Sequence, residues 1–328
     1  MKAIVYHEYG SPDVLKLDEV EKPIPKEDEV LIKVHAAAAN AADWRLMRAD
    51  PFPIRFGLGL FKPKNGRVGA DVAGQIEAVG SQVTQFRPGD LVYSDLSGDG
   101  FGTFAEYVCA SEDVVALKPN NLTCEQAAGV PMAAVTALQG LRDMGEIEQG
   151  QTVLINGASG GVGTFAVQIA KSFGAEVTAV CSTSKMEQAR LLGADHVIDY
   201  TKEDFAKNGQ LYDLIFAANG HRPIDDYIQS LTSTGTYVVA GGSMSQLFQA
   251  VALGPFKSKK GGKTVRTFTA KPKQADLQFM ATLLETGKVT PVIDRTYPLE
   301  QAADAMRYLE AGRAKGKIVV TVEHEIQI

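Results

Sequence analysis

Residues 158–163 read Ala158-Ser159-Gly160-Gly161-Val162-Gly163, a run whose types and spacing suit the holding of a pyrophosphate. Gly160 allows backbone to approach a phosphate closely, and Gly163 allows a helix to pack tightly on the strand before it. Ala158 holds the first of the three key positions and keeps the turn tight without a side chain large enough to block an anion. Such a turn needs a strand leading in and a helix leading out. The apolar run Thr152–Asn156 reads as the buried strand, and Phe165, Val167 and Ile169 mark the helical stretch that follows. The N–H groups and positive dipole end of that helix then face the anion, so a bound dinucleotide is expected.

The choice of dinucleotide rests on the end of the next strand. An NAD-preferring site usually carries Asp or Glu about 20 residues beyond the glycines, against the ribose hydroxyls. That place reads Cys181-Ser182-Thr183-Ser184-Lys185, with no carboxylate. Ser182, Thr183 and Lys185 offer two hydroxyls and an ammonium that suit a 2′-phosphate, so NADPH is expected over NADH. The plainer alternative is that Ser182 caps the next helix and Lys185 is only solvated. Tyr200, just after the third strand, is a candidate to lie against adenine or an ordinary strand-end aromatic. Asn219 and the pair Gly241 and Gly242 follow the fourth and fifth strands at their carboxyl ends, where open α/β sheets bind cofactor; each also reads as a tight turn.

The elements around these residues form two kinds of pattern. Strand segments at Thr152–Asn156, Glu176–Cys181, His196–Asp199, Leu214–Ala217, Tyr237–Ala240 and Val265–Thr269 alternate with helical patterns at 162–173, 184–193, 202–207 and 223–232. That alternation predicts an α/β fold with a doubly wound parallel sheet. Residues 1–124 instead show short β segments, including Glu29–His35, Val72–Val79, Asp90–Tyr93 and Gly102–Val108, cut by turns such as Arg87-Pro88-Gly89-Asp90. The tail carries a helix, Leu299–Glu310, and a strand, Lys317–Val322, which would best be satisfied by pairing in the β-rich domain. Residues 1–124 and 289–328 are therefore expected to form one domain, and 125–288, with a helix near Lys273–Thr286, the other.

The chain has 328 residues and a formal net charge of −6, which argues against a nucleic-acid footprint or an anionic membrane surface as partner. No apolar run reaches the ~18 residues of a membrane span. Met1 leads straight into the strand-like KAIVYH, and a soluble cytoplasmic protein is expected. Cys109, Cys124 and Cys181 are too few and too scattered for a disulfide framework or a metal cluster, and read as buried small hydrophobes.

Taken together, these residues resemble the medium-chain dehydrogenase/reductase superfamily, and within it the zinc-independent quinone oxidoreductase (zeta-crystallin-like) branch, over essentially the whole chain. The run from Gly150 through Gly163 to Gln168 and Lys171 carries the likeness, supported by Asn40-Ala41-Ala42-Asp43, Gly69-Ala70-Asp71-Val72-Ala73-Gly74, Phe86-Arg87-Pro88-Gly89-Asp90 and Gly312-Arg313-Ala314-Lys315-Gly316-Lys317. The resemblance implies a GroES-like β-rich catalytic domain joined to a Rossmann cofactor domain, usually as a homodimer. The superfamily's zinc alcohol dehydrogenases carry Cys, His and Cys where this chain has Asn40, Ala70 and Met132, none of which binds zinc well. Without a Lewis acid, the easier hydride acceptors are already activated ones, quinones and α,β-unsaturated carbonyls, whose reduced forms spread the added charge. By resemblance Asn40 sits near the nicotinamide and the substrate oxygen as a hydrogen-bond donor, with Asp43 bracing the same loop. Asn40 also reads as the cap of a helix starting at Ala41.

Two other readings stand beside this one: a metal-free alcohol or aldehyde dehydrogenase, and a low-turnover NADPH-binding sensor or interaction protein. The apolar run 51–61, with Phe52, Phe56 and Phe61, suits a substrate-pocket wall or a buried or dimer contact. Leu247–Phe256 is similarly apolar, and the basic run Lys257, Lys259, Lys260, Lys263 and Arg266 reads as a solvated loop.

Overall fold

A computed structural model describes residues 1–257 and 262–324; Lys259 and Lys260 of the basic run lie outside them. The chain divides into two compact units: Met1–Met132 with Pro272–Glu285 and Pro291–Ile328, and Ala133–Lys271 with Thr286–Thr290.

The first unit is β-rich. Its strands are β1 (Lys2–Val5), β2 (Lys16–Glu19), β3 (Glu29–Ala39), β4 (Asp71–Val79), β5 (Leu91–Asp95), β6 (Tyr107–Ser111) and β7 (Val115–Leu117). β3 organises the unit because its eleven residues serve three neighbours: β4 along most of its length, β6 beside Glu29–Lys33 and a returning strand beside Ala36–Ala39. Val30, Ile32 and Val34 point into the core, and four successive alanines then let neighbouring backbones close in. Val72, Ile76, Val92, Phe104 and Val108 complete that core, each fully buried aliphatic or aromatic group being worth roughly 1.5–3 kcal/mol relative to exposure. The expected strand over 102–108 begins only at Tyr107, because Phe101 and Gly102 take positive φ and turn the chain first.

The second unit is a six-stranded parallel sheet made of β8 (Thr152–Asn156), β9 (Glu176–Cys181), β10 (His196–Asp199), β11 (Tyr212–Ala217), β12 (Leu231–Val239) and β13 (Thr264–Thr267). Their spatial order is β10-β9-β8-β11-β12-β13, so the order reverses between β8 and β11 and a crevice opens there at the carboxyl ends. Val153, Leu154 and Ile155 are fully buried, as strands covered on both faces require. The expected helix at 202–207 does not form: Asp199 and Asp204 take backbone N–H groups of Thr201 and Ala206 on their side chains, which favours turns over helix. Leu247–Phe256 lies within a helix, Met244–Lys257.

β14 (Ile293–Pro298) and β15 (Lys317–Thr321) belong to the first unit, where β15 inserts between β14 and β3, the return expected for the tail. The helix Gln274–Glu285 also belongs to the first unit, whereas its place in the sequence had grouped it with the cofactor sheet. Its polar contacts explain this: Gln274 Nε2 donates to Val115 O, Tyr93 Oη to Leu277 O and Asn121 Nδ2 to Leu284 O. Residues 286–290 are held in the second unit by the Gln168 carboxamide, which bonds both backbone groups of Thr290.

Candidate active site

The phosphate cradle follows β8. Gly157 takes φ +83°, and a Cβ there would lie 2.9 Å from that of Asn219. The left-handed step of the turn is thus made by Gly157, one residue before the first motif position, which is why an alanine at 158 is tolerated. A Cβ on Gly163 would stand 2.0 Å from Gly157 O, so only glycine permits this approach of helix and turn. Gly160 is the opposite case, with nothing closer than 3.8 Å to its virtual Cβ: this face of the loop is open. The helix Gly161–Ser172 starts here, and its first-turn N–H groups have no intrahelical acceptor. An open glycine face beside unsatisfied N–H groups fits a pyrophosphate.

The loops after β11 and β12 complete the crevice edge. Asn156 O accepts from Ala218 N and Asn219 N, while Gly220 and Gly242 form a backbone bridge. Ser159, Gly161, Val162, Asn219, Gly241 and Gly242 are thereby brought to the carboxyl edge of neighbouring strands.

At the end of β9, Ser182 precedes the turn Thr183–Lys185 with no side-chain capping bond. The absence of a carboxylate here in the sequence needs correction by the fold: Asp199, from the end of β10, reaches across. Thr183 Oγ1 donates to Asp199 Oδ2, and Thr201 donates to Asp199 Oδ1 from both N (3.0 Å) and Oγ1 (2.7 Å). The bond from Thr183 is the largest reason that Asp199 is held below the usual carboxylate range. Lys202 stands 3.8 Å from the same group. Tyr200 N donates to Cys181 O, which puts an exposed aromatic ring beside this subsite.

The first unit contains a buried polar cluster. The helix Ala41–Arg48 starts where expected, with Asn40 and Asp43 forming a capping box, and the Asn40 carboxamide also bonds away from the helix. Its Nδ2 donates to Asp71 Oδ2 at 3.0 Å and to Ala38 O at 3.3 Å, and its Oδ1 accepts from Lys317 Nζ. Both N–H groups of the amide are therefore used within the chain. Lys317 Nζ also donates to Asp71 Oδ2 at 3.0 Å, and Asp71 Oδ1 accepts from Met132 N at 2.8 Å. The Lys317 and Asp71 side chains are only 3% and 0% exposed, so this is a dry ion pair. Asn40, Ala70 and Met132, the three positions at which the resemblance implies zinc ligands in other enzymes, all border it: one bonds Lys317, one precedes Asp71 and one donates its N–H to Asp71.

Asp43 braces this arrangement, accepting from Asn40 N at 2.7 Å and from Gly69 N at 3.2 Å. Burial raises its carboxyl to about 7, with Asp71 and Asp95 adding to the rise and Lys317 opposing it. Asp95 lies directly opposite Asp71 across β4 and β5; burial first, and the Asp71 charge second, raise it as well. Sequence reasoning had quoted Asp71 and Lys317 only inside longer motifs and gave neither a role. The signal available was a lone lysine opening an apolar strand, Lys317-Ile318-Val319-Val320.

The donor set at the three substituted positions does not fit zinc: Asn40 is committed to its neighbours, Ala70 carries no donor, and Met132 offers a weak thioether. Among the described residues no group of three or more His, Cys, Asp and Glu could hold a metal ion.

A β-rich unit with a buried ion pair and a doubly wound sheet with an open glycine turn fit a nicotinamide-dependent oxidoreductase. Family models agree: the alcohol dehydrogenase GroES-like domain matches residues 26–120 and the zinc-binding dehydrogenase domain residues 192–320. The chain is 39% identical to a 2-methylene-furan-3-one reductase of Solanum lycopersicum, over 98% of this chain and 79% of that one. It is 37% identical to an NADPH-dependent alkenal/one oxidoreductase of Arabidopsis thaliana, with the same shares covered. The solved quinone oxidoreductase of Coxiella burnetii superposes with a TM-score of 0.86 at 31% identity, over 98% of this chain and 99% of the other. The chain belongs to the medium-chain dehydrogenase/reductase superfamily, in its quinone oxidoreductase branch.

Proposed function

We propose that this protein is an NADPH-dependent, zinc-independent reductase of quinones or α,β-unsaturated carbonyls. The single observation that carries the reading is the dry Lys317–Asp71 pair bonded to Asn40, one of the positions at which the resemblance to zinc alcohol dehydrogenases implies a ligand. When bound, NADPH supplies the hydride. The glycine face of Gly160 and the first turn of the helix Gly161–Ser172 hold the pyrophosphate, and Ala158, Ser159, Gly161 and Val162 shape the loop. Ser182 and Lys185 hold the 2′-phosphate; Thr183 and Thr201 turn Asp199 aside from it by taking its oxygens. Tyr200 lies against adenine, and Asn219, Gly241 and Gly242 border the remainder of the cofactor. In the first unit the buried cluster faces the acceptor oxygen, while Asp43 keeps its loop in place and water returns the proton.

The names of the related reductases support an activated acceptor, and the substituted zinc positions support chemistry without a metal. No helix among the described residues is long and apolar enough to cross a membrane, and a cytoplasmic location is part of this reading. So is a homodimer. The deciding experiment is initial-rate oxidation of NADPH and NADH by metal-free protein against 1,4-benzoquinone, 9,10-phenanthrenequinone, 2-alkenals, cyclic enones and simple aldehydes. Turnover of quinones or enones with a preference for NADPH is expected; turnover confined to simple aldehydes would overturn it.

A further inference from the structure

The hydrogen-bond inventory of the buried cluster identifies its acting group. Asn40 has two amide N–H groups, and both are used, on Asp71 Oδ2 and Ala38 O. Lys317 has three ammonium N–H groups, and the described residues accept only two, through Asn40 Oδ1 and Asp71 Oδ2. Asp71 is filled from another side by Met132 N, and Asp43 by Asn40 N and Gly69 N. One donor therefore remains in the cluster, and it is charged.

Asp71 Oδ2 lies 3.0 Å from that group, and both side chains are almost wholly buried. Its direction is also set in advance: Asn40 Oδ1 and Asp71 Oδ2 fix two of three tetrahedral N–H vectors, which fixes the third. A preorientated cation out of water is the most effective stabiliser of an oxyanion that forms only as the reaction proceeds.

We propose that Lys317, and not Asn40, is the residue that meets the acceptor's oxygen, and that Asn40 and Asp71 are positioning residues that aim its third N–H. The proposal rests on the reductase reading above. With an enone, hydride from NADPH adds to the β-carbon, the C=C pair shifts toward oxygen to leave an enolate, Lys317 stabilises that O⁻, and water supplies the proton at the α-carbon. NADP⁺ and the saturated carbonyl result. An aromatic quinone such as 9,10-phenanthrenequinone spreads the same charge over its rings and depends less on one donor.

The test compares Lys317→Met, Lys317→Arg and the double variant Asp71→Asn/Lys317→Met, in which no unpaired buried charge remains to unfold the protein. In Lys317→Met, kcat with a cyclic enone falls by about 100-fold or more, as for loss of an oxyanion donor. With 9,10-phenanthrenequinone it falls much less, and NADPH affinity stays near the wild-type value. The double variant folds and keeps the enone defect, and Lys317→Arg recovers part of the activity. Equal losses on the two acceptors, or an enone-active double variant, would overturn the proposal. A turnover-independent arm separates it from the reductase reading: 4-nitrophenol bound to the NADP⁺ complex ionises at lower pH than in water, and in Lys317→Met it does not. Wild-type protein that shows this shift but reduces neither acceptor would sink only the reductase reading; no shift in wild type would sink the role of Lys317.

Discussion

The glycine turn after β8 and the buried cluster are built by opposite means. The cradle uses backbone: Gly160 is open, Gly163 is closed by Gly157 O, and the helix supplies N–H groups. The cluster uses side chains: Lys317, Asp71 and Asn40 arrive on different elements and satisfy one another. A backbone site tolerates any residue whose Cβ does not intrude, whereas a side-chain site tolerates almost no change of charge, because a partner removed from a dry pair leaves the other uncompensated.

Breaking the cradle should therefore give the largest effect, and through shape alone. Gly163→Val places carbon where Gly157 O now lies, and NADPH affinity measured by fluorescence titration should fall at least about 100-fold, the size of a backbone-level disruption of several hydrogen bonds. Near-wild-type affinity would show that the helix can retreat from the turn and that the cradle is softer than described.

Protons probe the cluster more gently. The folded-state carboxyl of Asp43 lies at about 7, above its ordinary 3.8, so the native chain retains a proton that the unfolded chain has released. Stability should accordingly decline as pH rises through that interval and level off above it, by up to about 1.4 kcal/mol per pH unit for one group. Asp95, also raised, acts with the same sign. The depressed carboxyls Asp195, Asp199 and Asp204 act with the opposite sign, but only below the usual carboxylate range. Urea midpoints at pH 5.5 and 7.5 measure the effect, and Asp43→Asn should flatten the slope. An identical slope in that variant would remove Asp43 from the account.

The smallest effects belong to the ribose subsite, where cradle and cluster styles mix. Lys185→Ala should raise the NADPH KM about tenfold and leave the NADH value nearly unchanged, since one charge-assisted bond is worth roughly 1.5 kcal/mol. Asp199→Asn, which removes the anion that Thr183 and Thr201 restrain, should shift preference a few-fold toward NADPH. Equal changes for both cofactors in either variant would exclude a 2′-phosphate contact.

These differences also decide what could be read from the chain. β8 and β9 lie where their apolar runs end, because strands buried on both faces leave an almost uninterrupted signature. The cradle was legible for the same reason: its residues are contiguous and its rule is steric. Even there Gly157 was overlooked, since a positive φ one residue early leaves no periodic trace. The cluster was barely legible. Asn40 and Asp43 share one turn of chain, but Lys317 is 277 residues from Asn40 and 246 from Asp71, and no spacing rule spans such gaps. Only the pairing of β15 with β3 makes them neighbours. The carboxylate of Asp199 escaped notice likewise, because it reaches the ribose subsite from the next strand over.

The place of Lys317 on β15 bears on how the protein comes into being. A chain made from its N-terminal end completes the cradle sequence well before residue 317 is synthesised. Only when β15 slots between β14 and β3 does Lys317 reach Asn40 and Asp71, so the buried cluster is among the last parts of the first unit to be completed.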